Sequence, residues 1–328
     1  MGANSAEIRR TTSKRTPADR WDHFLARWGV NRLGHRVEPG LYALGAPTPD
    51  SPVFVTANYT LSFDALRSAL DGVSAYILVL DTEGVNVWCA AGKGTFGTDE
   101  LVRRIDLSAL GRVVSHRRLI LPQLGAPGVS AHEVQPRSGF RVEYGPVRAA
   151  DLPAYLATGK ATPEMRQVTF WLRDRAVLIP VELRHVFLPT VVAASVLYFT
   201  AGALAAWGAV AAVLAGVVAF PILLPWLPTR DFSTKGFILG ALVALPFARA
   251  MARHGAGLWF GIASAGALAL VMIPVTSFLA LNFTGSTPFT SRTGVRWEIY
   301  RYVQVMAAMA LSGIMLAVIV LVISLIRG

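Results

Sequence analysis

Hydrophobic and polar residues divide the chain into two regions of different character. Up to Arg184, apolar residues occur in short runs between charged ones, whereas from Val186 onward long apolar runs dominate. The run Val186–Leu227 contains no charged side chain, and one crossing of a bilayer takes about 20 apolar residues. We therefore predict a mixed N-terminal head domain and a membrane domain over residues 184–328.

The apolar runs predict five transmembrane helices, at residues 186–206, 208–227, 236–252, 257–282 and 303–326. The first run is long enough for two of them, with a tight turn near Trp207–Gly208. Lys and Arg are more frequent in the segments on the head's side of the bilayer. The positive-inside rule then predicts a multi-pass protein of the cytoplasmic (inner) membrane, with a cytoplasmic head and its C-terminus outside.

Acidic residues are scarce in the membrane region. Between Glu182 and Glu298 the single carboxylate is Asp231, which we assign to a loop. Because buried carboxylates mark ion pathways in pumps, their scarcity argues against an ion-coupled transporter. We expect the helices to be an anchor and docking platform. The alternative is that they complete a site through the polar segment Asn282–Glu298, predicted to be a loop facing the head.

The head alternates short apolar runs with amphipathic ones. We predict strands at residues 53–56, 74–80, 118–121 and 140–144, and helices at 62–70, 98–105 (capped by Thr98) and 151–157. This alternation favours βαβ units and a mostly parallel sheet, in which ligands bind beyond the carboxyl ends of the strands. The domain covers residues 46–183, and residues 1–45 form a basic N-terminal arm.

Charge and cysteine content narrow the classes of function. The 31 Lys and Arg against 20 Asp and Glu give a net charge of +11, which the neighbouring lipid bilayer explains without a nucleic-acid partner. We find no zinc-finger, RNP or helix-turn-helix pattern. The chain has one cysteine, Cys89, so no intramolecular disulfide forms, as suits a reducing compartment. The residues near Met1 include no apolar stretch, so we predict no cleavable signal peptide.

The segment NVWCAAGK, which begins at Asn86 soon after the predicted strand 74–80, is the strongest candidate for chemistry. If Asn86 caps a short helix, Cys89 lies in its first turn, where the exposed N–H groups favour a thiolate. The small residues Ala90, Ala91 and Gly92 leave room for a flat macrocycle to approach the sulfur. The alternative is a buried cysteine that packs as a small hydrophobic residue.

Other motifs in this region are weaker. Lys93 shares a helix face with Cys89 and either binds a ligand's amides or phosphate or is simply solvated. Residues 92–97 spell G-x-G-x-x-G, but the dinucleotide fingerprint requires this directly after a strand and an acidic residue about 20 positions later. The P-loop pattern also fails, since position 87 is Val and position 94 is Gly. A tetrahedral zinc site lacks further Cys or clustered His ligands.

NVWCAAGK and the following GTFGTDEL (residues 94–101) resemble the corrinoid protein of the mercury-methylation pair, the HgcA family. The resemblance continues in LPQLGAPGVSAHE (121–133), GPVR (145–148) and NFTGSTP (282–288). This family is related to the large subunit of the corrinoid iron–sulfur protein of the acetyl-CoA pathway. The resemblance implies an α/β Rossmann-like corrinoid-binding domain followed by an all-α membrane domain of five transmembrane helices.

The resemblance further implies an enzyme, a cobalamin-dependent methyltransferase. It would move a methyl group from a donor such as methyltetrahydrofolate, via methyl-cobalt(III), to Hg(II), forming methylmercury. Cobalamin would bind base-off, with Cys89 as catalytic residue and lower axial ligand of the cobalt. The implied cofactor-binding residues are Asn86, Val87, Trp88, Cys89, Ala90, Ala91, Gly92, Lys93, Thr95, Gln123, Gly125 and Gly128, and His132 is a further candidate. The implied partners are a ferredoxin-like protein with two [4Fe–4S] clusters and methyltetrahydrofolate or its methyltransferase.

Three other interpretations of the sequence stay open. The first is a membrane-anchored corrinoid methyl carrier with a different acceptor. The second is a nucleotide-binding membrane sensor or redox protein, which needs phosphate contacts from residues 92–97. The third is a structural anchor that recruits the ferredoxin without turnover. If Cys89 ligates cobalt, the chain has no thiol left for mercury, and mercury is expected to arrive on a partner's thiols.

Overall fold

The computed structural model describes residues 7–254, 257–286 and 292–327. Internal contacts divide the chain into two compact units, one ending at Val168 and the other beginning at Thr169. The boundary precedes the predicted 183–184 because the segment after Thr169 already packs within the second unit. There the buried Arg175 donates from Nε to the Pro221 carbonyl oxygen at 2.7 Å.

The first unit, called the head, is a mixed α/β domain, as predicted. Its strands are β1 (Ile8–Thr11), β2 (Gly40–Leu44), β3 (Val53–Ala57), β4 (Ala75–Leu80), β5 (Arg118–Leu121) and β6 (Arg141–Tyr144). Its helices are α1 (Pro17–Arg27), α2 (Thr60–Ala69), α3 (Val87–Lys93), α4 (Thr98–Leu107), α5 (Leu110–Val113), α6 (Ala131–Ser138) and α7 (Leu152–Thr158). The four strands predicted from the apolar runs are confirmed as β3 to β6.

The six strands form one sheet in the order β1-β2-β4-β3-β5-β6. From β4 to β6 neighbouring strands are parallel, whereas β2 is antiparallel to β4 and parallel to β1. The chain crosses from β3 to β4 on one side and from β4 to β5 on the other. The strand order therefore reverses at β3, and this reversal opens a crevice at the carboxyl edge between β3 and β5.

Both faces of the sheet are covered by helices. One core contains side chains from α3, α4 and α6, including Val87, Leu101 and Val134, and the other contains Phe63 from α2 and Leu152 from α7. All residues of β3 and β4 are buried. Burial on both faces explains why these strands appear in the sequence as continuous apolar runs rather than as alternating ones.

The N-terminal segment is not the basic arm that the sequence predicts. Residues 8–44 supply two strands and a helix of the head. The buried Arg67 of α2 holds them in place: it donates to the carbonyl oxygens of Thr12 and Lys14 and pairs with Asp19 at 2.7 Å and Asp64 at 2.6 Å. β2 buries Leu41 and Leu44, but β1 and α1 are attached by strand pairing and these polar contacts, which hydropathy did not reveal.

One predicted cap is also different. The N-cap of α4 is Gly97, and Thr98 is the first residue of the helix. The Thr98 hydroxyl is turned away from the helix start because its Oγ1 accepts a hydrogen bond from the Ser130 amide at 2.8 Å. Thr98 therefore joins the start of α4 to the start of α6.

The second unit contains five helices long and apolar enough to cross a membrane: Leu172–Ala201, Ala203–Leu223, Phe232–Arg253, Leu258–Asn282 and Thr293–Ile326. The individual helices are α8 (Leu172–Ala176), α9 (Ile179–Ala201), α10 (Ala203–Leu214), α11 (Phe220–Leu223), α12 (Phe232–His254), α13 (Leu258–Asn282) and α14 (Arg292–Arg327), with a π-helical turn at Ala215–Ala219. The number of spans is as predicted.

Two boundaries in this unit differ from the sequence prediction. The first two spans are separated at Gly202, whose φ of +86° only glycine adopts readily, and not at Trp207–Gly208, which lies inside α10. The last helix begins at Arg292 rather than near residue 303. Part of the predicted loop Asn282–Glu298 is therefore helical, and its residues 287–291 lie outside the described residues.

The membrane unit packs through small residues and polar helix ends. A Cβ on Gly236 would lie 2.6 Å from Ser277 Cα, so that α12 and α13 can approach only because this position is glycine. Glu298 of α14 is buried and accepts hydrogen bonds from the amides of Phe232 and Ser233, at 3.2 and 3.0 Å. Glu298 is the last residue of the loop predicted from the sequence. Its carboxylate accepts hydrogen bonds from the free backbone amides at the N-terminus of α12.

We expect Arg67→Ala to destabilise the head by about 3–5 kcal/mol, because it leaves the buried Asp64 carboxylate without its guanidinium partner. Arg103→Ala is the matched control. The Arg103 side chain is 59% exposed where that of Arg67 is 7% exposed, and loss of its exposed pair with Glu100 should change the stability of the head very little. Hydrogen exchange of β3 and β4 in the full chain measures both effects, and equal exchange in the two variants would contradict the assignment.

Candidate functional site

Buried polar groups shape the loop that leads from β4 into α3. Asn58, which follows β3, is fully buried, and its Oδ1 accepts hydrogen bonds from the amides of Thr82 and Gly84, at 3.1 and 3.0 Å. Its Nδ2 donates to Asp81 Oδ1 at 3.1 Å. Sequence reasoning did not identify Asn58. The one indication of its role in the sequence was an amide side chain directly after a mostly apolar strand.

Glu100 of α4 supports the same loop from the other side. Its Oε1 accepts the Asp81 amide at 2.9 Å and the Arg104 guanidinium at 2.7 Å. Burial opposes ionisation of Glu100, but the Asp81 N–H and the guanidinium groups of Arg104 and Arg103 outweigh it, so its pKa lies below the usual value. The carboxyl end of β4 is thus attached to a charged acceptor.

After this loop, α3 begins with the capped helix start that the motif predicts. Asn86 is the N-cap, and its side-chain Oδ1 accepts the Cys89 amide at 2.9 Å. Cys89 therefore lies at the third position of the helix, as expected. The cysteine is exposed, so the alternative of a buried cysteine that packs as a small hydrophobic residue is ruled out. A ligand can reach the sulfur from solution.

The remaining residues of α3 divide between two faces. Val87, Ala90 and Ala91 are buried in the core against the sheet, whereas Gly92 and Lys93 are exposed beside Cys89. The sequence suggested that Ala90 and Ala91 face an approaching ligand, but both side chains point into the core. Their small size instead lets α3 lie close to the sheet. On the outward face, Gly92 places no side chain beside the sulfur.

Trp88 turns to the side of the helix and is 39% exposed. Together with Asn86 and Val87 it lines a cavity of about 350 Å³ at the carboxyl edge of the sheet. The other walls come from β3, α2, β5 and the segment after β6, through the side chains or backbone of Phe54, Thr56, Ser62, Leu66, Ile120, Leu121, Pro122, Leu124, Gly145 and Val147. The cavity thus lies at the reversal of strand order, where open α/β sheets bind ligands.

The loop after α3 is held by glycines on the neighbouring turn. Gly94 ends α3 with a φ of +91°. A Cβ on Gly128 would lie 2.2 Å from the Phe96 carbonyl oxygen, and one on Gly125 would lie 2.5 Å from the Phe96 ring. Both positions therefore require glycine for the turn to close on the loop. This arrangement follows a helix and not a strand, unlike the dinucleotide fingerprint.

Thr95 has a buried hydroxyl in this loop. Its Oγ1 has no hydrogen-bond partner within residues 7–254, 257–286 and 292–327. Since buried polar atoms are nearly always hydrogen-bonded, an orphaned hydroxyl indicates a missing partner, either water or a ligand group. Thr95 is one of the residues that the sequence assigns to cofactor binding.

The other predicted site residues lie further from the cavity. Gln123 Oε1 accepts a hydrogen bond from Arg166 at 3.3 Å, and neither lines the cavity. His132 is exposed and its ring nitrogen Nδ1 lies 3.1 Å from Ser130 Oγ, so it is a surface histidine. Among the described residues, no three His, Cys, Asp or Glu side chains come together as a metal site.

Comparison with known proteins gives a match within the head. Residues 31–156 match the family described as the CO dehydrogenase/acetyl-CoA synthase delta subunit. The acetyl-CoA decarbonylase/synthase complex subunit gamma of Archaeoglobus fulgidus is 33% identical over 123 residues, which are 37% of this chain and 26% of the relative. The corrinoid/iron-sulfur protein large subunit of Moorella thermoacetica is 29% identical over 129 residues, which are 39% of this chain and 28% of the relative.

The chain thus spans about a quarter of the length of the curated relatives it matches. These matches confirm the resemblance, expected from the sequence, to the large subunit of the corrinoid iron–sulfur protein. The resemblance to the mercury-methylation corrinoid proteins is consistent with them. The match begins at residue 31, so that β1 and α1 lie outside it.

We expect Asn86→Ala to lower the stability of α3 by about 1 kcal/mol, because the Cys89 amide loses its acceptor. Asn86→Asp keeps an acceptor oxygen at the same place and should retain most of that stability. Hydrogen exchange at the Cys89 amide measures the difference. Equal exchange in the Ala and Asp variants would show that the cap contributes nothing.

We expect Gly128→Ala to destabilise the head by about 1–3 kcal/mol, since the new methyl group displaces backbone atoms of the loop after α3. Gly111→Ala is the matched control, because its Cβ would meet only the end of the Arg117 side chain, at 3.7 Å. Urea unfolding of the two variants, followed by hydrogen exchange of β5, compares them. A Gly128→Ala chain as stable as the control would refute the packing argument.

Proposed function

We propose that this protein, whose residues 31–156 match a corrinoid-protein family of the acetyl-CoA pathway, is a membrane-anchored corrinoid methyl carrier. The observation that carries the proposal is the exposed Cys89 at the capped start of α3, beside an apolar cavity at the reversal of strand order. A corrinoid needs one ligand for its metal and one pocket for its nucleotide tail. The head offers both within one helix turn.

The residues present fit such a cofactor. Cys89 would hold the cobalt through its sulfur, and the cavity beside Asn86, Val87 and Trp88 would receive the nucleotide tail. Gly92 leaves space for the ring, while Lys93 and the orphaned hydroxyl of Thr95 meet its polar substituents. Ala90 and Ala91 act through the close packing of α3 on the sheet. Gln123, Gly125 and Gly128 act as positioning residues for the turn that supports the loop after α3.

When bound, a corrinoid supplies a metal that accepts and releases a methyl group. The contribution of the chain is the thiolate of Cys89, a soft and strongly donating ligand. A metal held by such a ligand would be suited to giving up a methyl group to a soft electrophile. The helix start favours the charged form of the sulfur, which lies where the Asn86 cap fixes it.

The acceptor that fits this chemistry is Hg(II), with methylmercury as product. What supports mercury as the acceptor is the resemblance to the mercury-methylation family, which covers the octapeptide around Cys89 and the arrangement of five apolar helices after the head. The donor is methyltetrahydrofolate, or its methyltransferase. A ferredoxin-like partner with two [4Fe–4S] clusters returns electrons and brings mercury on its thiols, because Cys89 is the single thiol of this chain. The head then lies in the cytoplasm at the inner membrane.

The first test is the visible absorption spectrum of the anaerobically purified full chain with cobalamin, wild type beside Cys89→Ala. We expect a base-off, thiolate-ligated spectrum that the alanine variant loses. Leu107→Ala, an exposed residue of α4, is the control and should keep the wild-type spectrum. Identical spectra for wild type and Cys89→Ala, or no binding of cobalamin, would defeat the cofactor assignment.

Mercury is tested separately in the same preparation. With the reduced ferredoxin-like partner, a methyl donor and Hg(II), wild type should form methylmercury and Cys89→Ala should not. A chain that binds cobalamin through Cys89 but forms no methylmercury would remain a methyl carrier with a different acceptor. The two measurements therefore distinguish failure of the cofactor from failure of the acceptor.

A further inference from the structure

Helix α1 is oriented with its charged side inward. Asp19 pairs with Arg67 at 2.7 Å, and His23, which is buried, contacts Asp64 at 2.7 Å. Asp22 contacts the buried His35 at 2.7 Å. These polar contacts fix the rotation of the helix about its axis. The face that an amphipathic helix would ordinarily bury is therefore turned away from the head.

That outward face is aromatic. Trp21, Phe24 and Trp28 are 62%, 48% and 37% exposed, and their i, i+3, i+7 spacing places them in one stripe. The rings of Trp21 and Phe24 stack at 5.3 Å, and Phe24 lies 6.0 Å from Trp28. Leu33, in the segment after the helix, is also an exposed apolar residue. We call these four residues the aromatic face.

Positive charge borders the aromatic face. Arg20 and Arg27 lie on one side of the stripe, seven residues apart, and Arg32 follows in the next loop; all three are exposed. Within the described parts of the chain, none of them forms an ion pair with a carboxylate of the protein. Aromatic side chains between arginines are the composition of segments that lie at a membrane–water interface.

We infer that the aromatic face binds the surface of a bilayer that contains anionic lipids. Tryptophan rings are favoured at the level of the headgroups, and arginines there interact with lipid phosphates. The same chain carries five helices long and apolar enough to cross a membrane, which makes a bilayer the partner that we assign to this face. Its three aromatic residues, Trp21, Phe24 and Trp28, precede residue 31, where the family match begins.

The test uses the full chain in nanodiscs, with one spin label on Leu33→Cys in a Cys89→Ala background. This substitution keeps all three rings, and the background leaves a single thiol. Leu107→Cys, an equally exposed apolar position on α4, is the matched control, and neither variant needs cofactor. The accessibility of each label to oxygen and to a water-soluble nickel complex is compared in discs with and without phosphatidylglycerol.

We expect the label at position 33 to become accessible to oxygen and protected from nickel in the anionic discs, while the label at position 107 stays accessible to nickel. Arg20→Gln and Arg27→Gln should each weaken the contact, by about fivefold in its equilibrium constant. A label at position 33 as accessible to nickel as the control overturns the inference. Protection from both reagents also overturns it, because it indicates a protein contact instead of lipid.

Discussion

The head domain depends on the position of β3, which lies between β4 and β5, while the β3–β4 and β4–β5 connections cover opposite faces of the sheet. Because the segments after β3 and β5 cover opposite faces of the sheet, the carboxyl edge between these two strands stays open, and a cavity of about 350 Å³ remains there. The capped helix α3 starts at this opening. The exposed sulfur and the cavity therefore lie next to each other because of the sheet topology. The strand order creates the crevice, and the side chains determine its shape and polarity.

The elements near this crevice could be predicted because their sequence signals are local. Continuous apolar runs identified β3 and β4, since both are buried on two faces. Asn86 three residues before Cys89 predicted the cap that the structure contains. Orientation of the helix was harder to predict: the small residues Ala90 and Ala91 suited either an open ligand face or a tight core. Only packing against the sheet distinguishes these two uses.

Elements held by distant polar contacts could not be predicted in the same way. Helix α1 shows no apolar stripe facing the head, because Asp19 and His23 are its inward residues and their partners lie far along the chain. Asn58 was missed for a similar reason, since its role depends on backbone amides of a loop beyond the next strand. In the membrane unit, Gly202 rather than a polar residue separates the first two spans, and the apolar run continues through it. Hydropathy reports burial, and it is insensitive to contacts of these kinds.

The hydrogen bonds of Arg67 with Thr12 and Lys14 and its ion pair with Asp19 limit where the head can be truncated. The region shared with the corrinoid relatives begins at residue 31, yet Arg67 and Asp64 lie inside it and their partners lie before it. A fragment trimmed to the shared region would keep two buried charges and lose the carbonyl oxygens, the carboxylate and the imidazole that meet them. The matched region and the compact head therefore have different limits in this protein, and residues before 31 supply the partners of the buried Arg67 and Asp64.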